Sequence, residues 1–155
     1  MKTTGTIARL HGMLESRGIS CEELTRRYLG AVERDNPALN AYETALAAAR
    51  RVDEKIAAGK PLAPLEGIPM TLKDNISTRG IETTCCSKML RGYAPIYDAT
   101  VWKILKEQNA VLLGKTNMDE FAMGSTCENS CFGGAANPRD TGRVAGGSSG
   151  GVASA

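Results

Sequence analysis

Residues 67–74 run Gly-Ile-Pro-Met-Thr-Leu-Lys-Asp, and this stretch decides the fold class. Gly67 and Pro69 are turn residues, and the mostly apolar run that they begin is typical of a short buried strand. Residues 110–114, Ala-Val-Leu-Leu-Gly, predict a second buried strand. Lys73 is therefore expected at the carboxyl end of the first strand.

A helix is expected between these two strands. Asp98-Ala99-Thr100 can cap its amino end. Its predicted inner face consists of Val101, Ile104, Leu105 and Gln108. Strand, helix and strand in this order predict parallel strands joined by a right-handed crossover, and hence an α/β fold. Residues 77–97 are expected to be irregular, and a short helix is expected over residues 117–122.

Two amphipathic helices are predicted before the first strand. Residues 20–23, Ser-Cys-Glu-Glu, form a capping box that begins the first of them. This helix should end near Asp35, because Asn36-Pro37 disfavours helical backbone at residue 36. The second is expected from Thr44 to Ala58, with Gly59 as its C-cap. The inner stripe of the second helix is Ala45, Ala48, Ala49, Val52 and Ile56.

Length and composition set the broad class. The chain has 155 residues, 42% hydrophobic and 23% charged, with a formal net charge of +2. This balance argues against a nucleic-acid binder that depends on a basic face. No apolar run approaches the ~20 residues that span a bilayer, and residues 1–6 lead into no apolar segment typical of a secretory signal. Five cysteines without an export signal favour reduced thiols in the cytoplasm.

Lys73 is the first candidate for chemistry. Open parallel sheets bind ligands at the carboxyl ends of their strands. Burial disfavours the charged form of a lysine, and a neutral amine is a competent general base. The alternative is a strand-end lysine that extends into water. The residues alone leave both interpretations open.

A glycine and serine run, Gly146 to Gly151, is the second candidate. It has no lysine after its last glycine, so it does not match the phosphate-binding P-loop. Residues 146–150 fit G-x-S-x-G, the nucleophile elbow of lipase-like hydrolases. An elbow needs a preceding strand and a later histidine, but no strand is predicted before Gly146, and the single histidine is His11. A flexible linker is the other alternative, although residues 152–155 resemble the first turn of a buried helix.

The remaining candidates are thiols and His11. Cys85, Cys86, Cys127 and Cys131 could together supply four thiols to a zinc ion. Structural zinc sites usually use C-x₂₋₄-C pairs, and the adjacent Cys85 and Cys86 do not fit this spacing. Structural thiols are therefore favoured over a metal site. His11 is expected on the surface of a helix. Any serine chemistry would then need a lysine as its base.

Three segments together resemble the amidase signature family: residues 67–75, 114–125 and 143–151. The middle one, with Glu128-Asn129-Ser130 and Asn137-Pro138 after it, is most similar to the A subunits of glutamyl-tRNA(Gln)/aspartyl-tRNA(Asn) amidotransferases. The resemblance implies helices packed on a mixed, mostly parallel sheet that is incomplete in this chain. Residues 1–155 would then be the N-terminal portion of one amidase domain, with a helical segment over 1–60 and the start of the catalytic α/β core over 61–155.

The resemblance also implies roles for individual residues. The family uses a Ser–Ser–Lys triad, in which Lys73 would be the base and Ser148 would relay the proton after a cis peptide bond. The family's nucleophile is another serine, in a T-G-G-S-type loop farther along the chain, and the 155 residues hold no such loop. Met123, Gly124 and Ser125 fall where the family lines its substrate pocket. No metal ligand is implied.

The implied reaction is hydrolysis of glutamine to supply ammonia for amidating glutamyl- or aspartyl-tRNA. The B and C subunits would be the partners; ATP and Mg are expected on the partner subunit, which also receives the aminoacyl-tRNA. No cofactor in this chain and no membrane are implied, and the chain is expected to be inactive alone. Two alternatives stay open: an amidase that acts on a free amide, and a non-catalytic scaffold fragment.

Overall fold

The structure is a computed structural model that describes residues 5–35 and 42–154. The predictions that involve residues 1–4, Asn36-Pro37 and Ala155 lie outside the described residues. The chain divides into two compact units. The first comprises Met1–Met70 and Ile104–Gly114, and the second comprises Thr71–Lys103 and Lys115–Ala155. The single-domain extent and the division at residue 60 stay predictions.

The first unit includes the helices α1 (Thr6–Glu15), α2 (Cys21–Asp35) and α3 (Tyr42–Ala57). The last two confirm the predicted pair, and Gly59 follows α3 with a φ of +68°. The sequence did not delimit α1, because its N-cap, Gly5, has no side chain to signal the start. His11 lies on α1 as expected, but it is only partly exposed and its Nε2 lies 3.1 Å from the Ala63 carbonyl oxygen.

The core of the first unit is formed by the inner faces of these helices, together with Ile19, Ile68, Val111 and Leu113, which lie outside them. Ala45, Ala49 and Val52 of the predicted α3 stripe are buried, and Ala48 and Ile56 are partly buried. The other buried members of the cluster are Leu10, Leu14, Ile19, Cys21, Leu24, Leu29, Leu46, Ile68, Val111 and Leu113. Each fully buried Leu, Ile or Val side chain contributes roughly 1.5–3 kcal/mol.

The start of α2 is capped from two directions. The Glu23 N–H donates to Ser20 Oγ at 3.0 Å, as the capping box predicts. The Glu23 side chain does not reach back, because it accepts from Arg27 at 2.6 Å. Instead, the Asp53 carboxylate on α3 accepts from the N–H groups of Cys21 and Glu22, at 2.6 and 2.9 Å. A tertiary contact thus completes a cap that the local sequence supplies only in part.

The two predicted strands are present as β1 (Pro69–Lys73) and β2 (Val111–Thr116), which form a two-stranded sheet. The first four residues of β2 are buried as predicted, whereas in β1 only Leu72 is buried. The Val111 N–H donates to the Ile68 carbonyl at 3.0 Å, and the Asp74 N–H donates to the Thr116 carbonyl at 3.1 Å. The first bond joins the beginnings of the two strands and the second joins their ends, so the strands are parallel. Helix α4 (Thr100–Glu107) lies between them in sequence, as predicted.

The predicted inner face of α4 is only partly correct. Leu105 and Gln108 are partly buried, but Val101 and Ile104 are half exposed. The buried residue of this helix is Trp102. Apolar residues occupy adjacent positions of this short helix, so the periodicity does not select one face. Trp102 has the largest apolar surface of them, and its burial sets the orientation of the helix.

The second unit is mostly irregular. Residues 77–97 contain only the 3₁₀ turn Lys88–Leu90, which confirms the prediction. A 3₁₀ turn, Glu120–Ala122, stands where a short helix was predicted. A hairpin of β3 (Ala136–Asn137) and β4 (Asp140–Val144) then leads to α5 (Gly150–Ser154).

Two predictions for the end of the chain need correction. A strand, β4, does precede Gly146, although all five of its residues are exposed and it lacks the alternation that signals a strand. Helix α5 begins at the glycine run as expected, but Val152 is half exposed. Gly150 and Gly151 are the residues of α5 that pack against the rest of the unit, whereas Val152 and Ala153 are exposed. The helix is therefore not buried. Among residues 5–35 and 42–154, no helix is long and apolar enough to span a membrane.

Candidate active site

Lys73 lies at the carboxyl end of β1, as predicted. The next residue, Asp74, still pairs with β2 through its N–H, and the Ile76 N–H turns back to the Lys73 carbonyl at 3.0 Å. The backbone on the carboxyl side of Lys73 is thus fixed by the sheet and by a tight turn. The lysine side chain starts from a defined position and is partly buried.

Ser148 lies beside Lys73. The Lys73 Nζ and the Ser148 Oγ are 2.6 Å apart and form a hydrogen bond. The peptide bond between Gly147 and Ser148 is cis, as the resemblance implied. The structure therefore brings together the two residues that the sequence singled out in separate segments. It favours neither a solvent-directed lysine nor a flexible linker.

The glycines around Ser148 are packed against other parts of the second unit. A Cβ on Gly147 would lie 2.8 Å from the backbone nitrogens of Thr126 and Cys127, which is too close. A Cβ on Gly150 would lie 2.7 Å from the Cys127 Sγ, and one on Gly151 would lie 2.7 Å from the Asn117 carbonyl. Glycine is required here because the backbones approach each other closely.

The predicted pocket-lining residues follow the Glu120–Ala122 turn. Phe121 and Ala122 have φ values of +50° and +63°, which direct the chain into the segment Met123-Gly124-Ser125. Met123 is 80% exposed and Ser125 is also exposed. Within the part of the chain that the structure describes, neither makes a hydrogen bond with Lys73 or Ser148. Gly124 packs against the Asp119 side chain, which also contacts Gly147.

The strand before Gly146 does not by itself support the nucleophile-elbow alternative, which also needs a histidine partner for the serine. The contacts of His11 are with other residues: its Nδ1 lies 3.5 Å from the Glu15 carboxylate, and its Nε2 lies 3.1 Å from the Ala63 carbonyl oxygen. Ser148 has a lysine as its partner instead. The arrangement suits a serine and lysine pair, which is a known variant of hydroxyl activation.

All five cysteines are free thiols. Burial raises the pKa of Cys86 to about 11 and that of Cys21 to about 12. Thiols of this kind are chemically inert, because the thiolate is the reactive form. No cluster of three metal-ligating side chains occurs among the described residues.

Comparison with known proteins assigns the family. The model of the family described as Amidase matches residues 23–155. The chain belongs to the amidase signature family. The resemblance found in the sequence is thereby confirmed, together with the fold class.

Curated relatives that this amidase family chain resembles include A subunits of glutamyl-tRNA(Gln) amidotransferases. It is 50% identical over 155 residues to the A subunit of the glutamyl-tRNA(Gln) amidotransferase of Acidothermus cellulolyticus, with 97% of the chain and 31% of that protein covered. It superimposes with a TM-score of 0.83 on the peptide amidase of Stenotrophomonas maltophilia, at 31% identity, with 96% of the chain and 33% of that protein covered. A bacterial aryl acylamidase gives a TM-score of 0.85 at 28% identity, with 97% and 32% covered. The chain spans about a third of the length of these relatives.

Sequence reasoning missed an ion pair behind Lys73 in this amidase chain. The side chains of Asp74 and Lys115 are each 8% exposed, with Lys115 Nζ 3.6 Å from Asp74 Oδ1. Lys115 also donates to the Ile76 carbonyl at 2.6 Å and to Thr83 Oγ1 at 2.9 Å. Burial lowers the pKa of Lys115, and Asp74 partly offsets this effect. Charged residues at the ends of two neighbouring strands were the signal that could have revealed this pair.

The same ion pair orders the segment that follows Lys73. The second carboxylate oxygen of Asp74 accepts from the Thr84 N–H at 3.0 Å and from the Thr84 hydroxyl. The Cys85 N–H donates to the Asp74 carbonyl at 3.1 Å. Lys115 and Asp74 therefore tie the turn after β1 to residues 83–85, and they support the backbone that carries Lys73.

Proposed function

We propose that this chain forms the N-terminal part of an amidotransferase A subunit, which hydrolyses glutamine by a Ser–Ser–Lys mechanism. The observation that carries the proposal is the 2.6 Å contact between Lys73 Nζ and Ser148 Oγ. The 50% identity to the Acidothermus protein over 97% of the chain supports the substrate class.

Lys73 and Ser148 act as base and relay in this proposal. A nucleophilic serine, supplied by sequence that follows these 155 residues, gives its proton to Ser148 Oγ, and Ser148 passes its own proton to the neutral amine of Lys73. The serine oxygen attacks the glutamine side-chain amide, and a C–O bond forms. The C–N bond then breaks, and the proton returns by the same route to the leaving ammonia. Water hydrolyses the resulting glutamyl ester, which releases glutamate and restores the serine.

The ammonia is consumed elsewhere in the complex. We expect a B subunit to bind the aminoacyl-tRNA and to use ATP and Mg to activate its glutamyl or aspartyl carboxylate, and a C subunit to be the third component. Ammonia released from glutamine then forms the amide. Five unbridged thiols are compatible with the cytoplasmic location that this role requires.

The test uses two proteins: the 155-residue chain, and a fusion of this chain to the remaining two thirds of the Acidothermus protein. Glutamate release from glutamine is measured for both. We expect activity in the fusion only, and its loss in Lys73→Ala and in Ser148→Ala. The matched controls are Ser149→Ala, at the exposed serine next to Ser148, and Lys103→Ala, at an exposed lysine of α4; both should keep the parent activity. A folded fusion without glutaminase activity, or an active Lys73→Ala variant, would contradict the proposal.

A second candidate is hydrolysis of a different amide. The high TM-scores to a peptide amidase and an aryl acylamidase favour it, because the same lysine and serine pair would serve any amide. Peptide amides and aryl acylamides are therefore assayed beside glutamine. A fusion that prefers either of them over glutamine would support this candidate.

A further inference from the structure

Asp119 is a buried carboxylate that lies against the loop of Ser148. Its side chain is fully buried, which is rare for an aspartate. Its Oδ2 accepts from the Cys127 N–H at 2.9 Å, and its Oδ1 accepts from the Asn129 N–H at 3.3 Å. Each oxygen of the carboxylate thus has a backbone donor in the segment 127–129. A buried acceptor held in this way is fixed in position.

The main chain of Asp119 binds Ser148 directly. The Asp119 N–H donates to the Ser148 carbonyl oxygen at 3.1 Å. The same residue therefore holds Ser148 through its backbone and the segment 127–129 through its side chain. A displacement of Asp119 would move both.

The Asp119 side chain also fills the space beside two glycines. A Cβ on Gly147, the residue before Ser148, would collide with Asp119 Oδ2, and one on Gly124 would lie 2.7 Å from Asp119 Cβ. On the other side of Ser148, Gly150 rests on Cys127, whose N–H the carboxylate holds. Both flanks of the serine are therefore packed against Asp119 or against the residue that it anchors.

We infer that Asp119 is a positioning residue that sets the location of Ser148 Oγ relative to Lys73 Nζ. The inference rests on the proposed function, in which Ser148 relays a proton. Asp119 does not touch the reacting atoms; it acts through Ser148. Small displacements of a reacting group are costly, since an error of 1 Å can lower a rate by about 10²-fold.

The test compares Asp119→Asn with the parent fusion protein. Asparagine keeps the size of the side chain but has only one acceptor oxygen, so one of the two backbone N–H groups faces an amide NH₂. We expect kcat for glutamine to fall about 10- to 100-fold, with KM changed by less than about twofold because the packing against Gly124 is kept. Glu120→Gln is the matched control, since Glu120 is the adjacent acidic residue and is exposed.

A double-mutant cycle separates positioning from a general loss of structure. If Asp119 acts through Ser148, Asp119→Asn has no further effect on the residual rate of Ser148→Ala. Independent, multiplying effects would overturn the inference while leaving the proposed function intact. An active Ser148→Ala variant would instead contradict the proposed function.

A crystal structure of the unmodified fusion tests the geometry without a variant. Loss of the contacts from Asp119 to the Cys127 N–H and the Ser148 carbonyl in that structure would also overturn the inference, even if Asp119→Asn failed to fold.

Discussion

Lys73 Nζ and Ser148 Oγ are 2.6 Å apart, although 75 positions separate the two residues in the sequence. The lysine is placed by the end of strand β1, and the serine by a glycine-rich loop whose backbone packs on residues 119 and 127. The end of a strand and a glycine-rich loop thus position the two atoms of one hydrogen bond. The contribution of the strand end and that of the loop can be tested by separate variants.

Replacing Lys73 by arginine separates charge from basicity. A guanidinium can still donate a hydrogen bond to Ser148, but it stays protonated and cannot accept a proton. We expect Lys73→Arg to lower kcat of the fusion protein by about 10²–10⁴, the usual contribution of a general base. Steady-state glutaminase kinetics measure this effect, with Lys103→Arg as the control. Near-parent activity in Lys73→Arg would mean that the lysine acts by charge alone.

Gly147→Ala tests the close approach beside Ser148. Its Cβ would lie 2.8 Å from two backbone nitrogens, and backbone cannot move aside as a side chain can. We expect the free energy of unfolding to fall by about 1–3 kcal/mol or more, measured by urea denaturation. In the control Gly142→Ala, the nearest contact is 3.3 Å from the Asp140 side chain on an exposed strand, so the change should be small. Equal stability of the two variants would argue against tight packing at Gly147.

Lys115→Met should be strongly destabilising. It leaves the buried Asp74 carboxylate without its ammonium partner, and breaking such a pair costs about 3–5 kcal/mol. The double variant Asp74→Asn/Lys115→Met should lose less than the sum of the two single variants, because it removes both charges together. Urea denaturation of the parent, the two single variants and the double variant measures the coupling free energy between the two side chains. Strict additivity would show that the two side chains are independent.

Glu66 should make the first unit sensitive to acid. Burial by itself raises the pKa of this carboxyl, but hydrogen bonds from Lys55, the Ala63 N–H and Asn109 outweigh it, and the pKa is lowered. The stability that Glu66 contributes is therefore full above its unfolded pKa of about 4.3 and is lost as the pH falls through the lower folded value. We expect Glu66→Gln to lower the free energy of unfolding by about 1.5–3 kcal/mol at pH 7. At the lowest pH, where the carboxyl is increasingly protonated, the same substitution should lower it by much less.

The control for Glu66 is an exposed ion pair. Glu23→Gln removes the pair with Arg27 on the surface of α2, which should cost about 0–1 kcal/mol. Both variants are unfolded in urea at several pH values between 3 and 7. A Glu66→Gln cost that stays constant over this range would contradict the lowered pKa.

Sequence reasoning located the two strands β1 and β2, the helices α2 and α3, and the Lys73–Ser148 pair better than the other elements. The strand around Leu72 is an apolar run that begins at turn residues, and the helix around Val52 has clear helical periodicity and a clear end signal. Both lie where they were predicted. The pairing of Lys73 with Ser148 came from the resemblance, because spacing alone could not place the strand beside the glycine run. The catalytic roles of these residues, and the pocket role of Met123, Gly124 and Ser125, stay predictions.

The elements that sequence reasoning missed lack local signals. Helix α1 has no capping side chain, β4 has no alternation, and Trp102 outweighs the periodicity of α4. The Asp119 and Asp74 carboxylates are satisfied by backbone and side chains from distant positions. The hydrogen-bond partners of such carboxylates come from distant sequence positions, so they cannot be predicted without the folded structure.

The glycine run from Gly146 to Gly151 is a poor place to cut or lengthen this chain, despite a composition typical of a linker. Gly147, Gly150 and Gly151 have no spare volume beside them, so an inserted residue would have to displace Thr126, Cys127 or Asn117. The exposed tip of the hairpin, Pro138-Arg139, is the better choice for an epitope tag or a spectroscopic label.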